Sequence, residues 1–166
     1  KNEVALGHFG GPLVPTKVTL ALAKAKGFSF GSDAAFDNLD CNTLASGDAD
    51  VINTTIQLIL PCLDKVNILA AVTDKPISLV PDAPTAGSLE SSLDIVLWNG
   101  LFVKKGTSDD VKAKIIASAM KTVMSARAQK LAKDTGAQVY WMGAAEAEAQ
   151  IVKDRATMKV INGLLD

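Results

Sequence analysis

A chain of 166 residues with 48% hydrophobic side chains and a mean hydropathy of +0.22 can bury a core, which excludes a disordered polypeptide. A net charge of −1 provides no basic surplus to neutralise phosphates and argues against nucleic-acid partners. No apolar run approaches the roughly 18 residues needed to span a bilayer, and the chain opens at Lys1 without a signal-peptide core, as a processed, truncated or proteolysed product would.

In chain order, Glu3 to Leu6 is predicted as a short strand, followed by a Gly/Pro loop from Gly7 to Pro15. Thr16 to Lys26 reads as a helix, with Val18, Leu22 and Ala25 on one face and Gly27 closing it. Phe28 to Phe30 is a second strand, and Asp37 to Ser46 a helix with Asp37 as its cap, stopped by Gly47. Ala49 to Ile52 is a third strand, Thr55 to Asp64 a helix kinked or ended by Pro61, and Val66 to Val72 a strand apolar enough for burial on both faces.

Residues 74 to 92 change character. With Pro76, Pro81, Pro84 and Gly87 they read as an irregular connector holding one helical turn near Thr85 to Leu89. Leu93 to Leu97 and Leu101 to Val103 are strand-like. Thr107 and Asp110 have the spacing of a capping box for a helix whose stripe is Val111, Ile115, Ala119 and Val123. A helix from Ala126 to Asp134 ends at Gly136, Gln138 to Trp141 is a short strand, and Ala144 to Leu164 is a terminal helix with Ile151, Met158 and Ile161 on one side. Alternating strands and helices define an α/β class, a mainly parallel sheet with helices on both faces. Ligands of such sheets sit beyond the C-terminal strand ends.

Three stretches at those ends can carry chemistry. Gly7-His8-Phe9-Gly10-Gly11 precedes a helix, so a ligand can approach its backbone and meet unpaired N–H groups, a setting suited to a carboxylate. Taken alone the signal is weak and the loop can be a plain turn, and it lacks the third glycine of a dinucleotide fingerprint. His8 has no nucleophile motif beside it and reads as a loop histidine bonding a ligand or its own turn. Asp33 follows the second strand. Asn53, Thr54 and Thr55 follow the third, as ligand contacts or as helix caps. No catalytic constellation, metal motif or cofactor motif is present. Cys41 and Cys62 can be paired in an oxidising compartment or be two small buried hydrophobes.

Val80 to Ala86 (VPDAPTA) and Trp98 to Thr107 (WNGLFVKKGT) together resemble the Pro-Asp-x-Pro-Thr and Trp-x-Gly-Leu-Phe-x-x-x-Gly-Thr signatures of the substrate receptors of tripartite tricarboxylate transporters. Leu44 to Val51, Ala71 to Thr73 and Gly136-Ala137 are similar to further pieces of that family in the right order, so the resemblance runs from about Val4 to Ile161.

The resemblance implies a periplasmic-binding-protein-like fold. Residues 1–97 would be the second ligand-binding lobe, with the Pro-rich connector at 74–92, and residues 98–166 the C-terminal part of the first lobe, whose opening portion is missing. It implies a non-enzymatic, periplasmic solute-binding protein without metal or cofactor. Such a protein holds a small carboxylate and delivers it to membrane permease subunits, with a companion N-terminal fragment or a homo-oligomer completing the cleft. A ligand-sensing or oligomerisation module derived from such a receptor is the alternative. Pro12, Leu13 and Val14 stand where the family has small serines, Ser32 to Phe36 replace its Val-Pro-Tyr-Lys-Gly turn, and Asn53 or Thr54 replaces an acidic residue. These departures leave open a more apolar or monocarboxylate ligand, or none.

Overall fold

The computed structural model describes residues 3–166. Its centre is a three-stranded parallel sheet in the order β2-β1-β3, built from β1 (Ala5–His8), β2 (Ser32–Ala35) and β3 (Val51–Ile52). Ala5 pairs with Ser32 and Leu6 with Val51, which fixes the register on both sides of β1. The helices are α1 (Val14–Ala25), α2 (Cys41–Ser46), α3 (Ile56–Ile59), α4 (Ala86–Leu89), α5 (Asp109–Val123), α6 (Ala126–Thr135) and α7 (Ala144–Leu165), with 3₁₀ turns at Leu60–Lys65 and Ser91–Leu93. The α/β class read from the sequence holds, with a smaller sheet than the pattern suggested.

The sheet's two faces can be assigned from its alternation. A Cβ added at Gly7 would meet Leu39, Ala49 and Ile52, so these share one face. Leu6, His8, Val51 and Asn53 point to the other face, and α1 lies there because Asn53 Nδ2 donates to Thr19 Oγ1 at 2.8 Å. The main core forms beyond α1. Val18 and Ala21 pack with Ala86, Leu93, Ile95 and Ile161, with Leu22, Met158 and Leu164 around them. The terminal helix therefore packs on α1, and the core joins residues from both ends of the chain. The spacing of Met158 and Ile161 foretold that face.

Helix ends follow their local chemistry. Gly27 at φ +72° and Phe28 close α1 in a Schellman arrangement, with Gly27 N–H donating to Lys24 O and Phe28 N–H to Ala23 O. This is why the predicted strand at Phe28 to Phe30 fails. Phe28 belongs to the helix cap, its ring meets Phe30 edge-on at 5.1 Å, and the strand begins only at Ser32. The cap of α2 is Asp40, not Asp37. Its carboxylate accepts from Asn42 N–H at 2.8 Å while Thr43 Oγ1 accepts from Asp40 N–H. Leu39 just before it is fully buried, which sets the start of the helix. Pro61 falls where α3 gives way to a 3₁₀ turn, as its missing N–H and fixed φ require.

The remaining expected strands are not formed. Within 66–72 only Ala71 makes a bridge, to Thr85, and Leu69 is 64% exposed instead of buried on both faces. Of the expected strand Leu93 to Leu97, Leu93 ends a 3₁₀ turn, and the rest of it, Leu101 to Val103 and Gln138 to Trp141 lie outside helices and ladders. Strand propensity is expressed only in a ladder, and among the described residues these segments form none. The capping box at Thr107 and Asp110 is also absent. Thr107 Oγ1 donates back to Lys104 O at 2.7 Å, and Ser108 precedes α5 without a side-chain cap bond. Residues Val111 and Ile115 of the expected stripe are exposed, and no residue of α5 is buried.

Candidate functional site

The ends of β1 and β3 meet the start of α1 at the glycine loop. Gly7 lies within β1, where a Cβ would sit 2.9 Å from Leu39 Cδ2 and 3.2 Å from Ala49 Cβ, so a larger residue would force these neighbours to shift. Beyond it the chain turns. Gly10 O accepts from Leu13 N–H at 3.1 Å and from the buried Thr16 hydroxyl at 2.8 Å. A trans peptide points its C=O and N–H in opposite directions. With the Gly10 carbonyl held toward α1, the Gly11 N–H is directed out of the turn. Gly11 is exposed, and nothing lies within 4 Å of the position its Cβ would take.

The N-terminus of α1 has no side-chain cap, since its N-cap is Leu13, and Pro15 removes one of its donors. Among the described residues, Val14 N–H and Thr16 N–H have no hydrogen-bond partner. Of these, Val14 is only partly buried whereas Thr16 is buried, so the local backbone offers donors at Gly11 and Val14.

His8 is the last residue of β1, not a loop residue, and is 3% exposed beneath α1. Its Nε2 lies 2.8 Å from Asp33 Oδ1, across the β1–β2 ladder. A carboxylate only accepts, so Nε2 carries the proton and donates. Nδ1 is buried and has no partner among the described residues. A bare buried ring nitrogen costs about 1–3 kcal/mol. The pair therefore ties the two strand ends together and leaves one polar atom under α1. Asp33 itself is half-exposed at its outer edge.

The three residues after β3 diverge. Asn53 extends the ladder through its N–H to Gly7 O at 2.8 Å, and its amide reaches Thr19 on α1. Thr54 turns away, donating to Leu39 O at 2.7 Å. Thr55 precedes α3, stays exposed, and makes no side-chain cap bond. Of the sequence-predicted set, His8, Asp33 and Asn53 share the α1 face of the sheet. Gly10 and Gly11 form the open turn, and Thr54 serves the opposite side as a structural bond. Phe9 is exposed and, with Asn53, Thr54 and Thr55, borders an open cavity of about 1800 Å³.

Two contributors escaped the sequence reading, Thr16 and Thr19, which hold Gly10 and Asn53. Only the helical spacing of hydroxyls on the sheet-facing side of α1 hinted at them. Cys41 and Cys62 are joined in a disulfide, which settles the alternative left open by their spacing. The bridge links the start of α2 to the 3₁₀ turn after α3. The loop from Asn53 to Thr55 is thereby anchored on both flanks, by Thr54 to Leu39 and by the bridge.

Among the described residues no group of three or more His, Cys, Asp or Glu side chains is placed to hold a metal ion. None of the described helices is long and apolar enough to cross a membrane. No family model, curated protein or solved structure matches the chain.

Proposed function

We propose that the chain is a non-enzymatic, extracytoplasmic solute-binding protein of the tripartite tricarboxylate receptor type, or a large part of one. It binds a small carboxylate at the Gly10–Gly11 turn and passes it to a membrane permease. The observation that carries the reading is this turn, where Gly11 is exposed with open space at its Cβ position beside an uncapped helix N-terminus. The half-buried Asn53 and exposed Thr55 flank it at the C-terminal strand ends, where ligands of parallel sheets bind. His8 acts beneath the site by fixing β1 to β2 through Asp33. The disulfide fits an oxidising compartment, since such bridges are rare in reducing ones. The paired Pro-Asp-x-Pro-Thr and Trp-x-Gly-Leu-Phe segments are the basis for naming the receptor family.

Thermal unfolding in the presence of acetate, succinate and citrate tests the reading. A binder at a hundred times its Kd stabilises by about 2.7 kcal/mol. Gly11→Glu has room for its side chain, so it leaves the fold intact and places a negative charge at the turn. The stabilisation is expected to fall away in that variant. No shift with any of the three acids, or a shift indifferent to Gly11→Glu, removes the proposed site.

The alternative, an interaction module derived from such a receptor, is favoured by one observation. Leu101 and Phe102 are 72% and 78% exposed, and Met124 and Leu131 are also exposed.

A further inference from the structure

A backbone nitrogen can attack the side-chain amide of the asparagine before it, and it does so most readily when it belongs to glycine, which has no Cβ to block the approach. The chain has two such pairs, Asn99-Gly100 and Asn162-Gly163. Its other asparagines precede Glu, Leu, Thr or Ile, whose side chains crowd the attacking nitrogen. The fold treats the two pairs oppositely.

Asn99 and Gly100 are both exposed and lie outside helices and ladders. Among the described residues, neither the Asn99 amide nor the Gly100 N–H has a hydrogen-bond partner. A Cβ at Gly100 would sit 2.9 Å from Trp98 Cζ3 and 3.2 Å from Phe102 Cε2, so the two rings favour glycine at this place. Asn162 instead lies in α7, where its Oδ1 accepts from Lys17 Nζ at 2.9 Å and its C=O accepts from Asp166 N–H at 3.1 Å. Helix geometry commits the Gly163 nitrogen to the carbonyl four residues earlier, away from the Asn162 side chain. Ile161 beside it is fully buried, and Leu164 and Leu165 pack against the same core, which holds this end of the helix.

We propose that Asn99 is a site of spontaneous modification, converting to aspartate and isoaspartate through a cyclic imide. The Gly100 nitrogen gives its proton to solvent base and bonds to Asn99 Cγ. The Cγ–Nδ2 bond breaks, and Nδ2 leaves as ammonia. Water then opens the imide. Attack at Cγ gives aspartate, and attack at the backbone carbonyl gives isoaspartate, whose main chain runs through the former side chain. Water replaces ammonia overall and nothing is oxidised. The product places a carboxylate beside the largely exposed Leu101 and Phe102. The carboxylate-binding reading is not needed for this inference.

The test incubates the full chain in mildly alkaline buffer and follows its proteolytic peptides by mass spectrometry. The Asn99 peptide should convert at least about tenfold faster than the Asn162 peptide, because α7 must open before Gly163 can attack. Both aspartate and isoaspartate are expected. In urea the two sites should react at similar rates, which assigns the native difference to the fold. Asn99→Gln, at an exposed position without hydrogen bonds, should keep the parent's unfolding midpoint and lose the reaction. Equal native rates at the two asparagines would overturn the proposal, as would aspartate without isoaspartate, the mark of direct hydrolysis. Asn99 reacting far more slowly in the native chain than in urea would mean that this segment is covered, which also overturns it. Ammonia release from Asn99→Gln at the parent's rate would place the reaction elsewhere, with the same result.

Discussion

The chain divides into two regions that differ in how their apolar residues are used. In the first, β1, β2 and β3 with α1, α4 and α7 bury Leu6, Val18, Leu39, Leu93, Ile95 and Ile161 almost completely. In the second, from Leu97 to Met142, only Ala132 among the hydrophobic residues is buried, although the stretch is as rich in Val, Ile, Leu and aromatics. Both have amphipathic helices with competent ends. Ser125 caps α6 by accepting from Ala128 N–H, and Gly136 ends it at φ +72°. Local helix signals therefore operate equally in both. The difference lies in the partner surface, since α1 has a sheet on one side and α7 on the other, whereas α5 has only α6 and an open groove. Trp98 Nε1, donating to Asp154 at 2.8 Å, and Gln57, donating to Thr135 O at 3.0 Å, tie the two regions together.

The sharpest test of this contrast is a pair of truncations. Leu93→Ala opens a cavity in the closed core and is expected to cost about 2–5 kcal/mol. Ile116→Ala on α5, exposed at 44%, should cost less than about 0.5 kcal/mol. Urea unfolding midpoints of the two variants read the difference. A comparable loss from Ile116→Ala would mean that α5 is covered in solution, by a second copy or another partner.

Reducing the disulfide should have the next largest effect. It closes a 21-residue separation, and releasing it is expected to cost about 3 kcal/mol through the unfolded chain. Hydrogen exchange before and after reduction should show faster opening of α2, α3 and β3, with α5 and α6 unchanged because the bridge ties neither of them and α5 buries no residue. Uniform acceleration along the chain would merge the two regions into one cooperative unit.

The smallest expected effect concerns acid. Glu90, at the end of α4, is held below its ordinary value of 4.5 by the Ser92 hydroxyl and N–H, with help from Lys26. A carboxyl depressed in the folded state contributes stability that is present above pH 4.5 and lost as pH falls below it toward the folded value. Glu90→Gln should therefore lower the unfolding midpoint slightly above pH 4.5, leave it unchanged at the acid limit and so flatten the small acid-side decline in a pH series. A variant whose acid limb matches the parent would assign that decline to other carboxylates.

Much of the candidate site could be read directly from the chain. Gly7 and the Gly10-Gly11-Pro12 turn declare a strand end, a close approach and a helix start, because glycine and proline restrict backbone geometry locally. The helices α1, α6 and α7 were bounded to within a few residues by Gly27, Gly136 and apolar spacing. His8 reads as a loop residue in the sequence but ends β1, because the strand runs two residues further than its apolar pattern. Only the pairing with Ala35 reveals that.

The sequence by itself determined the α/β class and the ends of α1, α6 and α7, since these depend on φ preferences, terminal glycines and periodicity within a few neighbours. The tertiary structure alone decided that Cys41 meets Cys62, that His8 bonds Asp33 beneath α1, and that the strand-like segments at 66–72, 93–97, 101–103 and 138–141 join no named strand. The physical reason is the same in each case. A disulfide, a cross-strand hydrogen bond and a β-ladder all need a second group distant in sequence, and only the folded chain fixes whether that group arrives.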